Sequence, residues 1–367
     1  MTEPDIILEA RDLRREFVTH KPLFGDATIV RAVDGVDLKI QIGETFAIVG
    51  ESGCGKSTLA RMLVRLIEPT EGAVIYQGQD ISGASASEFR ALRRDLQFIF
   101  QDPFSSLNPR MTVGALVEEP LRTHRLGTAS ERRAKVAEML VHVGLSPQHA
   151  SRYPHEFSGG QRQRVGIARA LITEPKVLVG DEPVSALDVS IQAQVVNILQ
   201  DLKTEFGLTL IIIAHDLAVI RHMADRVAVM YLGEIVEVAG AEALFDAPLH
   251  PYTEALASAI PLPQISERSA SPRISGDPPN PINPPSGCRF HTRCPYVIER
   301  CRTERPALQP ATSDRDVACH RAAELALTGL SGSDQRRSPA AARRFELYRQ
   351  ARQSHDGPPS IHHNKGE

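Results

Sequence analysis

A glycine-rich segment from Gly50 to Thr58 has the residue spacing of a phosphate-binding loop. It follows an apolar, strand-like run at 46–49 and precedes a helical pattern that starts at Lys56. Glycines let the backbone curl so that its N–H groups face phosphate oxygens, and the helix N-terminus adds positive charge. The pattern predicts that Lys56 reaches the β- and γ-phosphates of a nucleotide and that Ser57 ligates Mg²⁺. The expected nucleotide contacts are Gly50, Ser52, Gly53, Cys54, Gly55, Lys56, Ser57 and Thr58.

Two carboxylates, Asp181 and Glu182, follow a second apolar run at 176–179. Asp181 is placed to hold Mg²⁺, through water, and Glu182 is placed to orient and deprotonate an attacking water molecule. Such a pair also fits a solvated strand end when it stands alone. A phosphate loop in the same chain favours the chemical interpretation.

A third motif, from Ser158 to Gln161, opens a helical pattern with two consecutive glycines. A helix N-terminus of this kind can bind an anion, although an ordinary N-cap explains the same residues in isolation. If the two glycine motifs lie on separate lobes, one chain cannot close both around the same γ-phosphate. A head-to-tail pair of chains can, with Ser158, Gly159, Gly160 and Gln161 reaching the partner's nucleotide.

The chain has five cysteines, of which four fall within 32 residues: Cys288, Cys294, Cys301 and Cys319. Clustered thiols in a reducing compartment favour metal or redox chemistry over disulfides. The gaps between them are 5, 6 and 17 residues, whereas structural zinc sites usually include a pair about two to four residues apart. Four thiolates from an irregular wrap can enclose a [4Fe–4S] cluster. The alternatives are a zinc site, with His291 or His320 as a substitute ligand, and thiols that are unliganded or form disulfides. The fifth cysteine, Cys54, is expected to be a tolerated small residue of the phosphate loop.

Apolar runs alternate with amphipathic helical patterns up to about residue 240, which predicts an α/β domain. The expected strands cover 45–49, 97–100, 176–179, 209–214 and 226–231, and the expected helices cover 56–67, 130–143, 160–173, 190–206 and 216–223. Thirteen of the 26 prolines lie between Pro248 and Pro310. The cysteine cluster therefore lies in sequence that disfavours regular elements.

Composition narrows the class of protein further. The net charge of −3 over 367 residues gives no electrostatic reason to expect a nucleic-acid partner. No apolar run approaches the roughly 18 residues of a membrane helix, and the acidic N-terminus lacks the apolar core of a signal peptide. We therefore expect the chain to stay in the cytosol.

Together these motifs resemble the ATP-binding cassette (ABC) ATPases over about residues 5–240. The resemblance implies a P-loop ATPase domain at 1–240, with a RecA-like core, an antiparallel β subdomain and a helical subdomain at about 102–174. It implies that Gln101 touches Mg²⁺ or the lytic water, that His215 contacts the γ-phosphate, and that Phe17 stacks on adenine. It also implies that the loop from Ser185 to Asp188 crosses a dimer interface, where Asp188 joins the partner-site contacts.

A narrower resemblance links the chain to the ATP-binding subunits of oligopeptide and dipeptide importers. It is carried by the segments at 101–112, 152–157, 249–253 and 282–288. It implies a small, irregular C-terminal domain at 241–324, rich in cysteine and proline, in which Cys288, Cys294, Cys301 and Cys319 hold a [4Fe–4S] cluster. Residues 325–367 have no counterpart in the resemblance and are expected to form a disordered tail.

The resemblance implies an ATPase subunit that powers import of di- and oligopeptides. Its partners would be two transmembrane permease subunits, a second ATPase chain of different sequence and, indirectly, an extracytoplasmic peptide-binding protein, with no nucleic acid. Its place would be the cytoplasmic face of the inner membrane. An ABC protein acting on DNA or ribosomes would have two cassettes or a basic surface, and a non-hydrolysing regulator would lack Glu182 or His215.

Overall fold

The computed structural model describes residues 5–20, 28–184, 188–214, 217–260 and 276–330. The strands are β1 (Ile6–His20), β2 (Thr28–Gln41), β3 (Thr45–Val49), β4 (Glu71–Tyr76), β5 (Gln79–Asp80), β6 (Leu96–Ile99), β7 (Val177–Asp181), β8 (Thr209–Ile213), β9 (Arg226–Tyr231), β10 (Glu234–Gly240), β11 (Gln309–Thr312) and β12 (Arg315–Val317). The helices are α1 (Lys56–Leu63), α2 (Ala86–Leu92), α3 (Pro103–Ser106), α4 (Val113–Thr123), α5 (Ala129–His142), α6 (Gly159–Leu171), α7 (Val189–Phe206), α8 (Leu217–Met223), α9 (Ala241–Asp246), α10 (Pro251–Ser258) and α11 (Glu299–Thr303).

The larger sheet has eight strands in the order β11-β12-β10-β9-β3-β8-β7-β6. The five strands from β9 to β6 are parallel, and β3, β7 and β8 are buried along their whole lengths. Parallel strands covered on both faces need continuous apolar runs, which explains why the sequence pattern predicted them. Since β3 and β7 both pair with β8 and point the same way, the phosphate loop and the acidic pair lie at one edge of the sheet.

A second, antiparallel sheet has the order β2-β1-β4-β5. It is the antiparallel element that the family resemblance implied, but the apolar patterns predicted none of its strands. Register shifts interrupt the alternation of β1, for example between Ala10 and Leu13, and Asp12 has a φ of +42°. A bulged strand of this kind does not keep the period of two that sequence patterns detect.

The predicted helix and strand boundaries shift by a few residues. Helix α1 ends at Leu63 rather than at residue 67, because Arg65 has a φ of +50° that a helix cannot contain. Strand β6 ends at Ile99, so Gln101 lies in the loop that follows it. Helices α3 to α6 all lie between β6 and β7, in the stretch predicted as the helical subdomain.

The cysteine- and proline-rich region contains regular elements and packs on the larger sheet. Strand β12 pairs with β10, where Val317 lies opposite Glu237, and Phe290 packs in the core against the rings of Tyr231 and Tyr252. Among the described residues from 276 onward, regular structure is limited to α11, β11 and β12, and the two strands extend the larger sheet. That this region forms a separate, irregular domain stays a prediction. Residues 325–330, predicted as the start of a tail, also pack there, because the Leu330 N–H donates to the Phe245 carbonyl.

Candidate ATPase site

The phosphate loop is held between β3 and α1 by close backbone contacts. Gly50 has a φ of +149°, and a Cβ there would lie 2.2 Å from the Met230 carbonyl oxygen. Gly55, the N-cap of α1, has a φ of +109°, and a Cβ there would lie 2.0 Å from the Ala32 carbonyl oxygen. Both positions therefore require glycine for steric as well as conformational reasons.

Lys56 lies inside this loop and is buried. Its ammonium Nζ donates 2.8 Å hydrogen bonds to the carbonyl oxygens of Gly50 and Glu51. These contacts hold the ammonium group inside the curl of the loop, and its role on the β- and γ-phosphates stays a prediction. Cys54 is buried beside it, and burial raises the pKa of its thiol, which agrees with a small packed residue.

Ser57 and Asp181 meet across the site. The Ser57 hydroxyl donates a 2.7 Å hydrogen bond to Asp181 Oδ1, and the Arg61 guanidinium lies 3.2 Å from Oδ2. Asp181 is fully buried at the end of β7. The two side chains predicted to hold Mg²⁺, with Asp181 acting through water, are therefore direct neighbours, and their binding of the metal stays a prediction. No sequence motif indicated Arg61, although its position four residues after Ser57 puts both side chains on one face of α1.

Glu182 follows Asp181 with a φ of +47°, and its N–H donates to the Ile213 carbonyl. Its carboxylate accepts a 2.7 Å hydrogen bond from the Gln101 side-chain amide. The predicted general base and the predicted water-contacting glutamine are therefore direct neighbours. His215 and residues 185–187 lie outside the described residues.

The segment from Ser158 to Gln161 forms a capping box at the start of α6. The Ser158 hydroxyl accepts from the Gln161 N–H, and the Gln161 side chain accepts from the Ser158 N–H. Gly159 is the first residue of α6, and a Cβ on Gly160 would lie 2.5 Å from Ile191 Cγ2. Asp188 is the exposed N-cap of α7. These residues therefore form an N-cap, as the alternative interpretation expected, and their contact with a partner's nucleotide stays a prediction.

Phe17 lies half-buried on β1, opposite Val30 of β2. The guanidinium carbon of Arg15 lies 4.8 Å from the centre of its ring. Its stacking on adenine stays a prediction.

The remaining predicted nucleotide contacts lie near the surface. Ser52 and Gly53 lie exposed at the tip of the phosphate loop, and Thr58 is half-buried in the first turn of α1.

The four clustered cysteines line one small pocket, together with His291 and His320. Burial raises the pKa of Cys288 to about 12 and that of Cys294 to about 11, and it also raises the pKa of Cys319. Thiol and imidazole groups are suitable ligands for a soft metal ion. Among the described residues, however, no three His, Cys, Asp or Glu side chains are grouped closely enough to hold a metal ion. The predicted [4Fe–4S] cluster is therefore not supported by the side-chain geometry.

Two residues of the C-terminal region reach the phosphate loop, which no sequence pattern indicated. Arg293 forms a double ion pair with Glu51, and the Tyr252 hydroxyl accepts a 2.8 Å hydrogen bond from the Glu51 N–H. Arg293 and Glu51 are 242 positions apart. Contacts of this range depend on how β10, α10 and the cysteine region pack, and local sequence carries no signal for them.

Within the described ranges, no helix combines the length and the apolar character needed to cross a bilayer.

Comparison with known proteins identifies the family of the chain. Residues 33–185 match the family model "ABC transporter", and residues 236–301 match "Oligopeptide/dipeptide transporter, C-terminal region". The chain is 51% identical over 323 residues to the oligopeptide transport ATP-binding protein AppF of Bacillus subtilis, covering 86% of this chain and 97% of that one. It is also 51% identical to the di/tripeptide transport ATP-binding protein DppF of Pseudomonas aeruginosa, covering 88% and 99%.

A solved structure gives the same result for the fold. It is the dimeric, post-hydrolysis state of an ATP-binding cassette bound to ADP and phosphate, with 31% identity and a TM-score of 0.58. The match covers 64% of this chain and 99% of that cassette. The chain therefore belongs to the ATP-binding subunits of the oligopeptide and dipeptide ABC transporters, which hydrolyse ATP to power transport.

Proposed function

We propose that this protein energises the import of di- and oligopeptides through separate transmembrane permease subunits. The observation that carries the proposal is the convergence of Lys56, Ser57, Asp181 and Glu182 at one sheet edge, in a chain whose C-terminal region matches the peptide-transporter model. The names of its relatives, which refer to oligopeptides and di/tripeptides, supply the substrate class.

The residue roles follow from the contacts. Lys56 would leave the carbonyls of Gly50 and Glu51 to donate to the β- and γ-phosphates of ATP. Ser57 and Asp181 would hold Mg²⁺, which when bound neutralises charge on the phosphate oxygens. Hydrolysis needs an aligned water molecule, and catalysis here is mainly positioning and charge neutralisation.

Glu182 is assigned as the base. It would take a proton from water as the water oxygen bonds to the γ-phosphorus and the bond from that phosphorus to the ADP oxygen breaks. Gln101, whose side-chain amide donates a hydrogen bond to the Glu182 carboxylate, would contact the same water or Mg²⁺. His215 is assigned to the γ-phosphate on the resemblance alone, and Phe17 to adenine on the same ground.

Two chains would enclose two ATP molecules head to tail. Ser158, Gly159, Gly160 and Gln161 at the N-terminus of α6, with Asp188 before α7, would complete the partner's site. The assembly proposed has a second, related ATPase chain, two permease subunits and, indirectly, an extracytoplasmic peptide-binding protein. It would lie on the cytoplasmic face of the inner membrane. We propose the domain limits 1–240 and 241–324 for the cassette and its extension.

Co-expression with the two permease genes and their binding protein tests this proposal. Peptide uptake into reconstituted vesicles should require ATP and should stop with Lys56→Ala. ATP hydrolysis that responds to DNA or ribosomes and ignores the permeases would overturn it.

We also propose a metal centre at Cys288, Cys294, Cys301 and Cys319, with a [4Fe–4S] cluster as the first candidate and zinc as the second. The support is that four thiols line one pocket, although their side chains must turn to become a ligand set. Burial raises the pKa of Cys288, Cys294 and Cys319, and a bound cation would offset that cost and favour their thiolate forms. Anaerobic purification with iron, zinc and sulfide analysis tests it, with Cys301→Ser as the variant and Cys54→Ser as the matched control. Protein with neither iron nor zinc would remove the proposal.

A further inference from the structure

Arg293 connects the cysteine region to the phosphate loop. Its Nη1 lies 2.8 Å from Glu51 Oε2 and its Nη2 lies 2.9 Å from Oε1, a bidentate pair. The Arg293 side chain is only 7% exposed, and that of Glu51 is 27% exposed. Charge-assisted pairs with this geometry are the stronger kind, and partial burial protects this one from screening by salt.

The same loop residue is held at its backbone. The Glu51 N–H donates to the Tyr252 hydroxyl at 2.8 Å, and the Glu51 carbonyl accepts from Lys56 Nζ at 2.8 Å. Tyr252 is fully buried against Phe290 and Tyr231. A continuous series of contacts therefore leads from the residue before Cys294 to the ammonium of Lys56.

The charge on Glu51 makes this connection matter for nucleotide binding. A carboxylate in a phosphate loop repels the polyanionic tail of ATP, and Arg293 supplies the opposite charge at contact distance. A loop held in one arrangement also loses less conformational entropy when the nucleotide binds.

We infer that Arg293 is a positioning residue for the ATP site: it tethers and neutralises Glu51, and thereby sets the phosphate loop and Lys56 for ATP. The inference rests on the proposed role of Lys56 in binding phosphate. It differs from a purely structural role, in which loss of Arg293 lowers stability and leaves the handling of ATP unchanged.

Steady-state ATPase kinetics and thermal unfolding of the full-length chain separate the two roles. Arg293→Gln should raise the KM for ATP about tenfold, the order expected for a charge-assisted hydrogen-bonded pair, with kcat within about twofold of wild type. Arg293→Lys keeps the positive charge but loses the bidentate geometry of the guanidinium, so it should raise the KM for ATP about threefold. This variant replaces Arg293→Gln in the test if the glutamine variant does not fold. The double variant Glu51→Gln/Arg293→Gln should have a KM closer to wild type than Arg293→Gln alone, because the uncompensated carboxylate is gone.

Arg315→Gln is the matched control. Arg315 is another arginine of the same region, its side chain is 10% exposed, and it pairs with buried Glu237 at 2.8 Å, but it does not touch the phosphate loop. It should lower the Tm and leave the KM for ATP unchanged. The inference is overturned if Arg293→Gln does the same, or if the double variant recovers nothing.

Lys56→Ala distinguishes failure of the inference from failure of the site. If Lys56→Ala keeps wild-type ATP affinity, the assignment of the site is wrong and the inference falls with it. If Lys56→Ala abolishes ATP binding while Arg293→Gln leaves KM at the wild-type value, only the role of Arg293 is wrong.

Discussion

The side-chain amide of Gln101 donates a 2.7 Å hydrogen bond to the carboxylate of Glu182. Glu182→Gln should therefore keep the local fold, since an amide can still accept from Gln101, but it cannot take a proton from water. We expect ATP hydrolysis to fall by at least a hundredfold and an ATP-bound closed dimer to accumulate, seen by size-exclusion chromatography and retained nucleotide. Turnover near that of wild type would show that Glu182 is not the base.

Asp181 is the second target, because its two oxygens face Ser57 and Arg61. Asp181→Asn keeps an acceptor for the Ser57 hydroxyl and removes the charge that would attract Mg²⁺. We expect the Mg²⁺ concentration for half-maximal ATPase activity to rise about tenfold or more, since one full charge leaves the site. An unchanged Mg²⁺ titration with normal activity would contradict the metal assignment.

Gly55 and Gly53 form a matched pair for testing the loop. Gly55 has a φ of +109° and the Ala32 carbonyl in the place of a Cβ, whereas Gly53 has a φ of +77° and nothing within 4 Å. Without nucleotide, Gly53→Ala should lower the free energy of unfolding by about 1 kcal/mol from left-handed strain alone. Gly55→Ala should cost about 3 kcal/mol or more because the backbone must also move. Equal losses in urea unfolding would refute the steric argument.

His250 makes stability depend on pH. Burial lowers its pKa from 6.5 to about 3, and its Nδ1 accepts from the Tyr252 N–H at the start of α10. The unfolded chain therefore binds a proton below pH 6.5 that the folded chain refuses, so this contribution to stability is present above pH 6.5 and is lost as pH falls toward 3. His250→Asn keeps an N-cap acceptor and cannot titrate.

Between pH 7.5 and pH 5, wild type should lose about 2 kcal/mol more unfolding free energy than His250→Asn. Urea unfolding at the two pH values measures this difference. Equal losses in both proteins would show that the pKa of His250 is the same in the folded and the unfolded chain.

The chain after Leu330 should be dispensable for hydrolysis. Leu330 is buried, its N–H donates to Phe245, and the Thr328 N–H donates to Glu254, so the last described contacts end there. Removal of residues 331–367 should leave ATPase activity and membrane association unchanged. Removal from residue 325 should lower the Tm because it strips these contacts.

Sequence alone predicted those candidate site residues that lie in short motifs beside recognisable strands and helices. Gly50 follows the apolar strand β3, Asp181 and Glu182 lie at the end of the apolar strand β7, and Gly55, Lys56 and Ser57 begin α1. Strand β1 of the antiparallel sheet was not predicted, because register shifts near Asp12 break its alternation of apolar and polar residues. The contact of Arg61 with Asp181 could have been predicted only from the spacing of residues on one face of α1. The contact of Arg293 with Glu51 depends on the tertiary packing of the cysteine region, which no local sequence pattern encodes.

The pairing of β12 with β10 has a consequence for any shortened form of this ATPase. If the chain ends after Gly240, the outer side of β10 becomes a bare strand edge with free backbone donors and acceptors, beside buried Val236 and Val238. Such an edge pairs readily with other chains and promotes aggregation. In the part of the chain that the structure describes, the outermost strand on this side is instead β11, which is short, exposed and carries Pro310. We therefore expect the cysteine-bearing extension to limit self-association of the larger sheet by covering this edge of β10.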